Sequence, residues 1–190
     1  MEITNALLVA MMFVVLLTIG IGNIIMALAA FIDRRTPIKP DAIHTSWVAL
    51  LLMVHFNLFW HVLDILTIQE WNFLEFLYIV AGAMLLFFAT HVLLPEASSA
   101  GANDLRAHYF ENNRQFFFFF GLVQAWIIGV DFILRHGFTI TAAGALNLVV
   151  FALAAILALS SVEKVHRLGT AAGWVLLLVS LILQSTKEMV

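Results

Sequence analysis

Residues 6–32, with the sequence ALLVAMMFVVLLTIGIGNIIMALAAFI, decide the fold class of this chain. The stretch has no charged side chain, and it exceeds the roughly 20 apolar residues that a helix needs to cross a bilayer core. It ends at Asp33, Arg34 and Arg35, and residues 1–5 before it lack the basic side chains of a cleaved signal peptide. We therefore predict a membrane-spanning helix that is retained in the protein.

Further apolar stretches of similar length follow the first one. Together they predict six spans, at residues 6–32, 43–67, 73–94, 116–134, 140–160 and 168–185. Of the 190 residues, 63% are hydrophobic and 11% are charged, against roughly a quarter charged in soluble domains. Strands of membrane barrels are about half as long as these stretches and alternate in hydrophobicity. The sequence thus predicts an all-α membrane protein, a six-transmembrane-helix bundle in a single domain over residues 1–190.

The segment between the third and fourth spans is more polar than the spans themselves. Residues 104–115 are predicted to form a short cytoplasmic amphipathic helix at the membrane interface, and a water-facing extension of the fourth span is the alternative. The run of phenylalanines that follows covers more than one helical turn, so part of it must face lipid or a partner. The predicted lipid or partner interface contains Arg106, Tyr109, Phe110, Arg114, Phe116, Phe117, Phe118, Phe119 and Phe120.

Lysines and arginines are distributed unequally between the two sides of the predicted bundle. The loops after spans one, three and five hold Arg34, Arg35, Lys39, Arg106, Arg114, Lys164 and Arg167, whereas the other side holds Arg135 and Lys187. Basic residues concentrate in cytoplasmic loops. We therefore predict that these three loops are cytoplasmic and that both termini lie outside.

Composition also excludes several kinds of site. The chain has no cysteine, which excludes disulfides, iron–sulfur clusters and thiolate nucleophiles. Its net charge is −3 and it has no basic block, which excludes a nucleic-acid partner. A bis-histidine haem needs two imidazoles at similar depth on opposed helices, and His44 and His91 satisfy this only near a membrane surface. We expect no cofactor, with haem or a divalent metal as the alternatives.

Polar side chains inside the spans are the candidates for chemistry, because such groups are costly in lipid. Asn57, His61 and Asp64 are spaced i, i+4 and i+7, which places them on one helix face near the outer surface. Carboxylates and imidazoles at a common depth can carry a proton or bind a metal ion. The candidates for an ion or proton path are His55, His61, Asp64, Glu75, Gln124 and Asp131, and the weak metal candidates among them are His61, Asp64, Glu75 and Asp131.

Each of these candidates has a structural alternative. His61 and Asp64 can form one hydrogen-bonded pair that fixes two helices, and His55 can bond Gln124 or the backbone of a neighbouring helix. Asn72 is of a residue type that caps helices, and we predict that it caps the third span.

Small residues indicate where helices approach closely. Gly169 and Gly173 form a G-x-x-x-G pattern in the sixth span, and Gly20 and Gly22 lie within the first. Glycines let helix backbones pack tightly in lipid. We predict packing within the chain at these positions, with a homo-oligomer face as the alternative.

Residues 43–120 resemble a family of small bacterial multi-pass inner-membrane proteins to which no function is assigned. The resemblance rests on Trp47, His55 and the pair Trp60-His61, on EWNFLEFL at 70–77, on LLP at 93–95, and most specifically on DLRAHYF at 104–110. The resemblance implies multiple spans in a bacterial inner membrane. It implies neither an activity nor a site residue.

The short predicted loops leave little room for a soluble active site. We therefore expect a non-enzymatic integral membrane protein that contacts the lipid bilayer and acts as a scaffold or accessory subunit of a larger membrane complex. The first alternative is a homo-oligomeric channel or carrier for protons, small ions or a small metabolite. The second is a redox or sensory protein that binds haem or a metal.

Overall fold

The computed structural model describes residues 5–32, 38–68, 70–95, 104–134 and 141–187. Over these ranges the chain is helical apart from short connections, and they contain no β-strand beyond one isolated bridge between Lys39 and Asp104. The helices are α1 (Asn5–Ile32), α2 (Ala42–Trp60), α3 (Val62–Leu66), α4 (Phe73–Leu93), α5 (Leu105–Leu134), α6 (Ala142–Leu159) and α7 (Glu163–Lys187).

Five segments are long and apolar enough to cross a membrane. They are Asn5–Phe31, Ala42–Leu66, Phe73–Leu93, Ala142–Leu159 and Glu163–Gln184, and each overlaps a span predicted from hydrophobicity. The described residues are all-helical, and these five segments are compatible with a multi-pass membrane protein.

Local sequence explains where three of the helices begin. The side chain of Asn72 accepts hydrogen bonds from the backbone N–H groups of Leu74 and Glu75, and the Glu75 carboxylate accepts one from the Asn72 N–H at 3.0 Å. This capping box confirms the predicted role of Asn72. Asp41 caps α2 and Thr141 caps α6 in the same manner, each through its side-chain oxygen.

The segment at 104–115 differs from the predicted separate helix. It forms the first half of α5, which continues without a break from Leu105 to Leu134. No glycine or proline occurs between Asp104 and Gly121, so nothing in this sequence interrupts the backbone hydrogen bonds. The segment is therefore an extension of the fourth predicted span, which was the alternative interpretation.

The helices form two groups that share α2 and α5. In the first group α4 packs against α1 and α5, and α2 contacts α1, α4 and α5. In the second group α5 packs on α6, α6 on α7, and α7 on α2, which closes a ring of four helices. The first group is densely buried, as shown by Leu17, Leu51 and Leu86, each at most 1% exposed.

Helices α6 and α7 keep most of their apolar side chains on the surface. Leu159 is 83% exposed and Leu168 is 73% exposed, and few residues of either helix are buried. Such exposure would be unfavourable in water, whereas in lipid it has little cost. This distribution is compatible with a bundle embedded in a membrane.

The connections after α1, α4 and α6 meet at one end of the bundle, which we call the basic end. Lys39 forms an ion pair with Asp104 at 3.6 Å, and Arg106 and Arg167 both pair with Glu163. The backbone N–H of Ala107 donates to the Asp104 carboxylate, which together with Lys39 lowers the pKa of that carboxyl group. The other end, which contains Thr67 and Asn72, is called the opposite end.

Candidate functional site

A cleft lies inside the ring formed by α2, α5, α6 and α7. About 90 Å³ of space inside it can be reached by a water-sized molecule. Its walls are mostly apolar and are lined by Trp47, Leu50, Val54, Leu58, Phe120, Ile127, Leu146, Val150, Leu153, Gly173, Leu176 and Leu177. Small-molecule sites usually have this apolar character.

Each of the four helices contributes one hydrogen-bonding side chain of the amide or hydroxyl type to the cleft. These are Asn57 from α2, Gln124 from α5, Asn147 from α6 and Ser180 from α7. All four are neutral, and no acidic or basic side chain lines the described walls of the cleft. The cleft thus has hydrogen-bonding capacity without a net charge.

Gln124 is the most deeply placed of these four groups. Only 4% of its surface is exposed, and its amide makes no hydrogen bond with any residue in the described ranges. The amide atoms are not fully enclosed by protein and reach the space of the cleft, where an unpaired polar group without water is unfavourable by about 1–3 kcal/mol in protein mutation data. Its two donors and one acceptor oxygen are therefore available to a molecule inside the cleft.

Four rings close the cleft toward the basic end, and we call them the aromatic plug. The indole of Trp47 makes edge contacts with the rings of Phe116, Phe117 and Phe120, at centroid distances of 5.7, 4.8 and 5.8 Å. Edge-to-face contacts of this kind are favourable and specific in geometry. Trp47 and Phe120 also line the cleft, so the plug borders it on that side.

A buried tyrosine–histidine pair lies beyond the plug. His166 Nε2 lies 2.9 Å from the carbonyl oxygen of Ser160, so it carries the proton and donates, which leaves Nδ1 to accept from the Tyr109 hydroxyl at 2.8 Å. Tyr109 is 1% exposed and His166 is fully buried. Burial raises the pKa of the Tyr109 phenol, which keeps it protonated as a donor. The pair ties the start of α5 to the α6–α7 connection.

Four polar residues bridge the ring at the opposite end, and we call them the end latch. The Asn57 amide donates to Gln184 Oε1 at 2.8 Å, and Gln184 Nε2 lies 3.4 Å from His61 Nε2. His61 Nδ1 in turn donates to the Asp64 carboxylate at 2.9 Å. Because Asn57 also lines the cleft, the latch connects α2 to α7 at the border of the cleft.

The predicted proton or ion path is dispersed over several parts of the structure. His61 and Asp64 are in contact, as in their structural alternative. Glu75 belongs to the capping box of α4, and the side chain of Asp131 lies outside the described part of the structure. Among the described residues, no three His, Asp or Glu side chains come together as a metal site. The predicted set of metal ligands therefore remains a prediction.

His55 and Gln124 do not meet, although they were predicted at similar depth. His55 Nδ1 donates to the carbonyl oxygen of Leu51 at 2.8 Å, and its Nε2 lies 3.4 Å from Thr90 Oγ1. A Cβ atom at Gly20 would overlap the same imidazole. His55 is thus packed between α1 and α4, away from the cleft that Gln124 lines.

The two histidines considered for haem differ in burial. His44 is fully buried, and its Nε2 donates to the carbonyl oxygen of Leu93 at 2.9 Å, whereas His91 is exposed. The ring nearest to His44 among the histidines is that of His108, with centroids 6.0 Å apart. The donor role of His44 Nε2 occupies one of the two nitrogens that could bind iron.

The predicted lipid or partner interface is divided by the structure. Tyr109, Phe116, Phe117 and Phe120 are buried inside the chain, and Phe110 and Phe119 are partly buried. The remaining members, Arg106, Arg114 and Phe118, are exposed. The buried rings point inward because α5 is covered on two sides, by α4 and by α6.

The predicted packing glycines have unequal surroundings. A Cβ at Gly169 would come within 2.6 Å of Leu157, and one at Gly173 within 3.2 Å of Leu50, so both positions are close helix contacts. Gly22 has no neighbour within 4 Å of such an atom.

Sequence reasoning did not assemble the cleft. The sequence predicts Asn57 and Gln124 individually, as polar groups within spans, whereas Ser180 and Gln184 are not among its candidates. What these residues share is an uncharged polar side chain within an apolar stretch, at positions that only tertiary packing brings together.

No protein-family model matches this chain, and neither a curated protein nor a solved structure matches it. The function is therefore inferred from the geometry of the cleft and of the residues around it.

Proposed function

We propose that this protein is a carrier or channel that takes a small solute into the cleft between α2, α5, α6 and α7. The observation that supports this function best is the buried amide of Gln124, which faces the cleft without a hydrogen-bond partner among the described residues. Polar groups at membrane depth mark substrate paths more often than chance, because they are costly there.

The membrane topology in this proposal is that of the sequence analysis. The second half of α5, from residue 116 onward, serves as the fourth of the six spans and completes a single transmembrane domain. The meeting of Lys39, Arg106 and Arg167 at the basic end supports a cytoplasmic location for that end. Both termini then face outside, in the bacterial inner membrane that the resemblance implies.

The two closures of the cleft provide a simple mechanism for passage. The aromatic plug blocks the cytoplasmic side, and the end latch holds α7 against α2 on the outer side. Opening the latch exposes the cleft to one side only, as alternating access requires. Gly173, which packs closely on Leu50 of α2, provides a contact about which α7 can tilt.

The scaffold or accessory role remains a prediction. Its main support in the sequence was the phenylalanine run as a partner surface, and three of its five rings are buried within the chain. The homo-oligomer, the haem or metal alternatives and the ion or proton cargo also remain predictions. The cleft favours a neutral solute over an ion or a proton as the cargo, because no charged side chain lines its described walls.

Substituted-cysteine labelling tests the proposal on a clean background, because the chain has no cysteine of its own. Ser180→Cys places a thiol in the cleft, and Leu178→Cys places one at similar depth on a surface that is 56% exposed. A maleimide reacts with the thiolate, which forms only where water reaches the sulfur. We expect Ser180→Cys to react with N-ethylmaleimide at least tenfold faster than Leu178→Cys in liposomes. Equal rates would show a cleft closed to water and would refute the proposal.

A further inference from the structure

We infer that the ligand of the cleft is an uncharged molecule with a hydrogen-bonding group at one end and an apolar body at the other. This inference rests on the proposed function and specifies the chemistry of the solute. It follows from the composition of the walls, from the position of the polar residues along the helices and from the size of the cleft.

The absence of charge on the cleft walls, as far as the structure describes them, selects against ions. The hydrogen-bonding groups there are two asparagines, one glutamine and one serine, which bear no net charge at any ordinary pH. A carboxylate or ammonium ion that entered would lose its hydration without gaining a counter-charge. The acid of the end latch, Asp64, is paired with His61 and does not line the cleft. A neutral ligand has no such penalty.

Amides and a hydroxyl suit a ligand that both donates and accepts hydrogen bonds. The amides of Gln124 and Asn147 each offer two donors and an acceptor oxygen, and the Ser180 hydroxyl offers one donor and two lone pairs. None of these three side chains bonds to another residue in the described ranges. An alcohol, amide or carbonyl group on the ligand would satisfy them.

Register along the helices orients the ligand. Asn57, Ser180 and Asn147 lie toward the opposite end of α2, α7 and α6, with Gln124 somewhat deeper. Trp47 and Phe120 lie toward the basic end, where they form part of the plug. The hydrogen-bonding group of the ligand therefore faces the latch, and its apolar body lies against the aromatic rings. The space that a water-sized molecule can reach is about 90 Å³, which has room for several waters, so the ligand is small.

A matched series of probes on one ring system tests this assignment. The probes are 1-naphthol, naphthalene, 1-naphthoate and 1-naphthylmethylammonium, titrated by calorimetry at neutral pH into the full chain in nanodiscs. Titration into empty nanodiscs removes the contribution of lipid partitioning. We expect saturable binding of 1-naphthol, several-fold tighter than naphthalene and at least tenfold tighter than either charged probe.

Matched variants show whether the binding occurs in the cleft. Gln124→Leu should weaken 1-naphthol binding at least fivefold, and Asn147→Leu should weaken it as well, which provides a second variant if one of them folds poorly. Gln115→Leu makes the same chemical change at an exposed position of α5 and should leave binding unchanged. Intact helix content by circular dichroism confirms the fold of each variant.

The outcomes separate the inference from the proposed function. Tighter binding of a charged probe that is lost in Gln124→Leu would overturn the neutral ligand but would leave a solute-binding cleft. Saturable binding that Gln124→Leu and Asn147→Leu do not change, or no saturable binding of any probe, would overturn the inference. The labelling rate of Ser180→Cys then decides independently whether the cleft admits solutes at all.

Discussion

Tyr78 and Trp126 exchange hydrogen bonds across the interface between α4 and α5. The Tyr78 hydroxyl donates to the carbonyl oxygen of Trp126 at 2.9 Å, and the Trp126 indole N–H donates to the carbonyl oxygen of Tyr78 at 2.7 Å. The two rings are stacked, with centroids 6.2 Å apart. Each side chain thus bonds the backbone of the other residue, which fixes both the distance and the rotation of the two helices.

Because each ring donates one hydrogen bond, a single substitution can remove either bond and leave the other in place. Tyr78→Phe removes one hydroxyl donor and retains the ring, so we expect a loss of about 0.5–1.5 kcal/mol in the free energy of unfolding. Trp126→Phe removes the second donor and also contact area, so its effect should be larger. Unfolding by sodium dodecyl sulfate in mixed micelles measures both. Phe118→Leu, on an exposed position of the same helix, is the control and should change stability little.

Two glycines provide a matched test of helix packing. A Cβ atom at Gly82 would overlap the indole ring of Trp126, whereas one at Gly22 would meet no atom within 4 Å. We expect Gly82→Ala to destabilise the bundle by about 1–3 kcal/mol, because the ring or the helix must move. Gly22→Ala should be neutral or slightly stabilising, since alanine favours helix. Equal stability of the two variants in thermal unfolding would contradict this packing.

The positions of the spans could be predicted from the sequence, but the side of each helix that packs against its neighbours could not. Apolar length alone identified the five segments that are long enough to cross a membrane, and residue type alone identified Asn72 as a cap. Which side of a uniformly apolar helix is buried depends on its neighbours, because such a helix has no polar face to orient it. The run Phe116–Phe120 illustrates this, since its five identical residues contain no periodicity.

Contacts between residues that are far apart in the sequence could not be predicted either. Tyr109 and His166 are separated by 57 positions, and Asn57 and Gln184 by 127. Each of these residues resembles ordinary polarity near a helix end or within a span when it is considered alone. The cleft, the end latch and the tyrosine–histidine pair form only when α2, α5, α6 and α7 pack into a ring.

The tyrosine–histidine pair predicts a dependence of stability on alkaline pH. Burial raises the pKa of Tyr109 above its ordinary value of about 10, so the folded state holds this proton more tightly than the unfolded state. The corresponding stability is present below about pH 10 and is lost as the pH rises further, because only the unfolded chain then releases the proton. Tyr109→Phe should be less stable at neutral pH, since it leaves His166 Nδ1 without a donor.

Unfolding measured from pH 7 to pH 11 checks both parts of this prediction. The wild-type chain should lose stability above pH 10 more steeply than Tyr109→Phe does. His166→Ala, which removes the acceptor, should also lower stability at neutral pH. Parallel pH profiles for the wild type and Tyr109→Phe would mean that the Tyr109 phenol is not held protonated by burial.

The end latch predicts that access to the cleft can be increased by one substitution. Gln184 accepts from Asn57 at 2.8 Å and approaches His61 at 3.4 Å, so Gln184→Ala removes one short hydrogen bond and one weak contact and leaves the packing of Gly173 on α2 in place. An interhelical hydrogen bond in a membrane protein contributes about 0.6 kcal/mol on average, which corresponds to an increase of about threefold in the open population. In the Ser180→Cys background, Gln184→Ala should therefore raise the rate of labelling by N-ethylmaleimide about threefold. Gln115→Ala makes the same change at an exposed position near the basic end and should leave the rate unchanged. A rate that Gln184→Ala does not alter would mean that α7 is held by packing at Gly173 and elsewhere, and that the latch does not control the cleft.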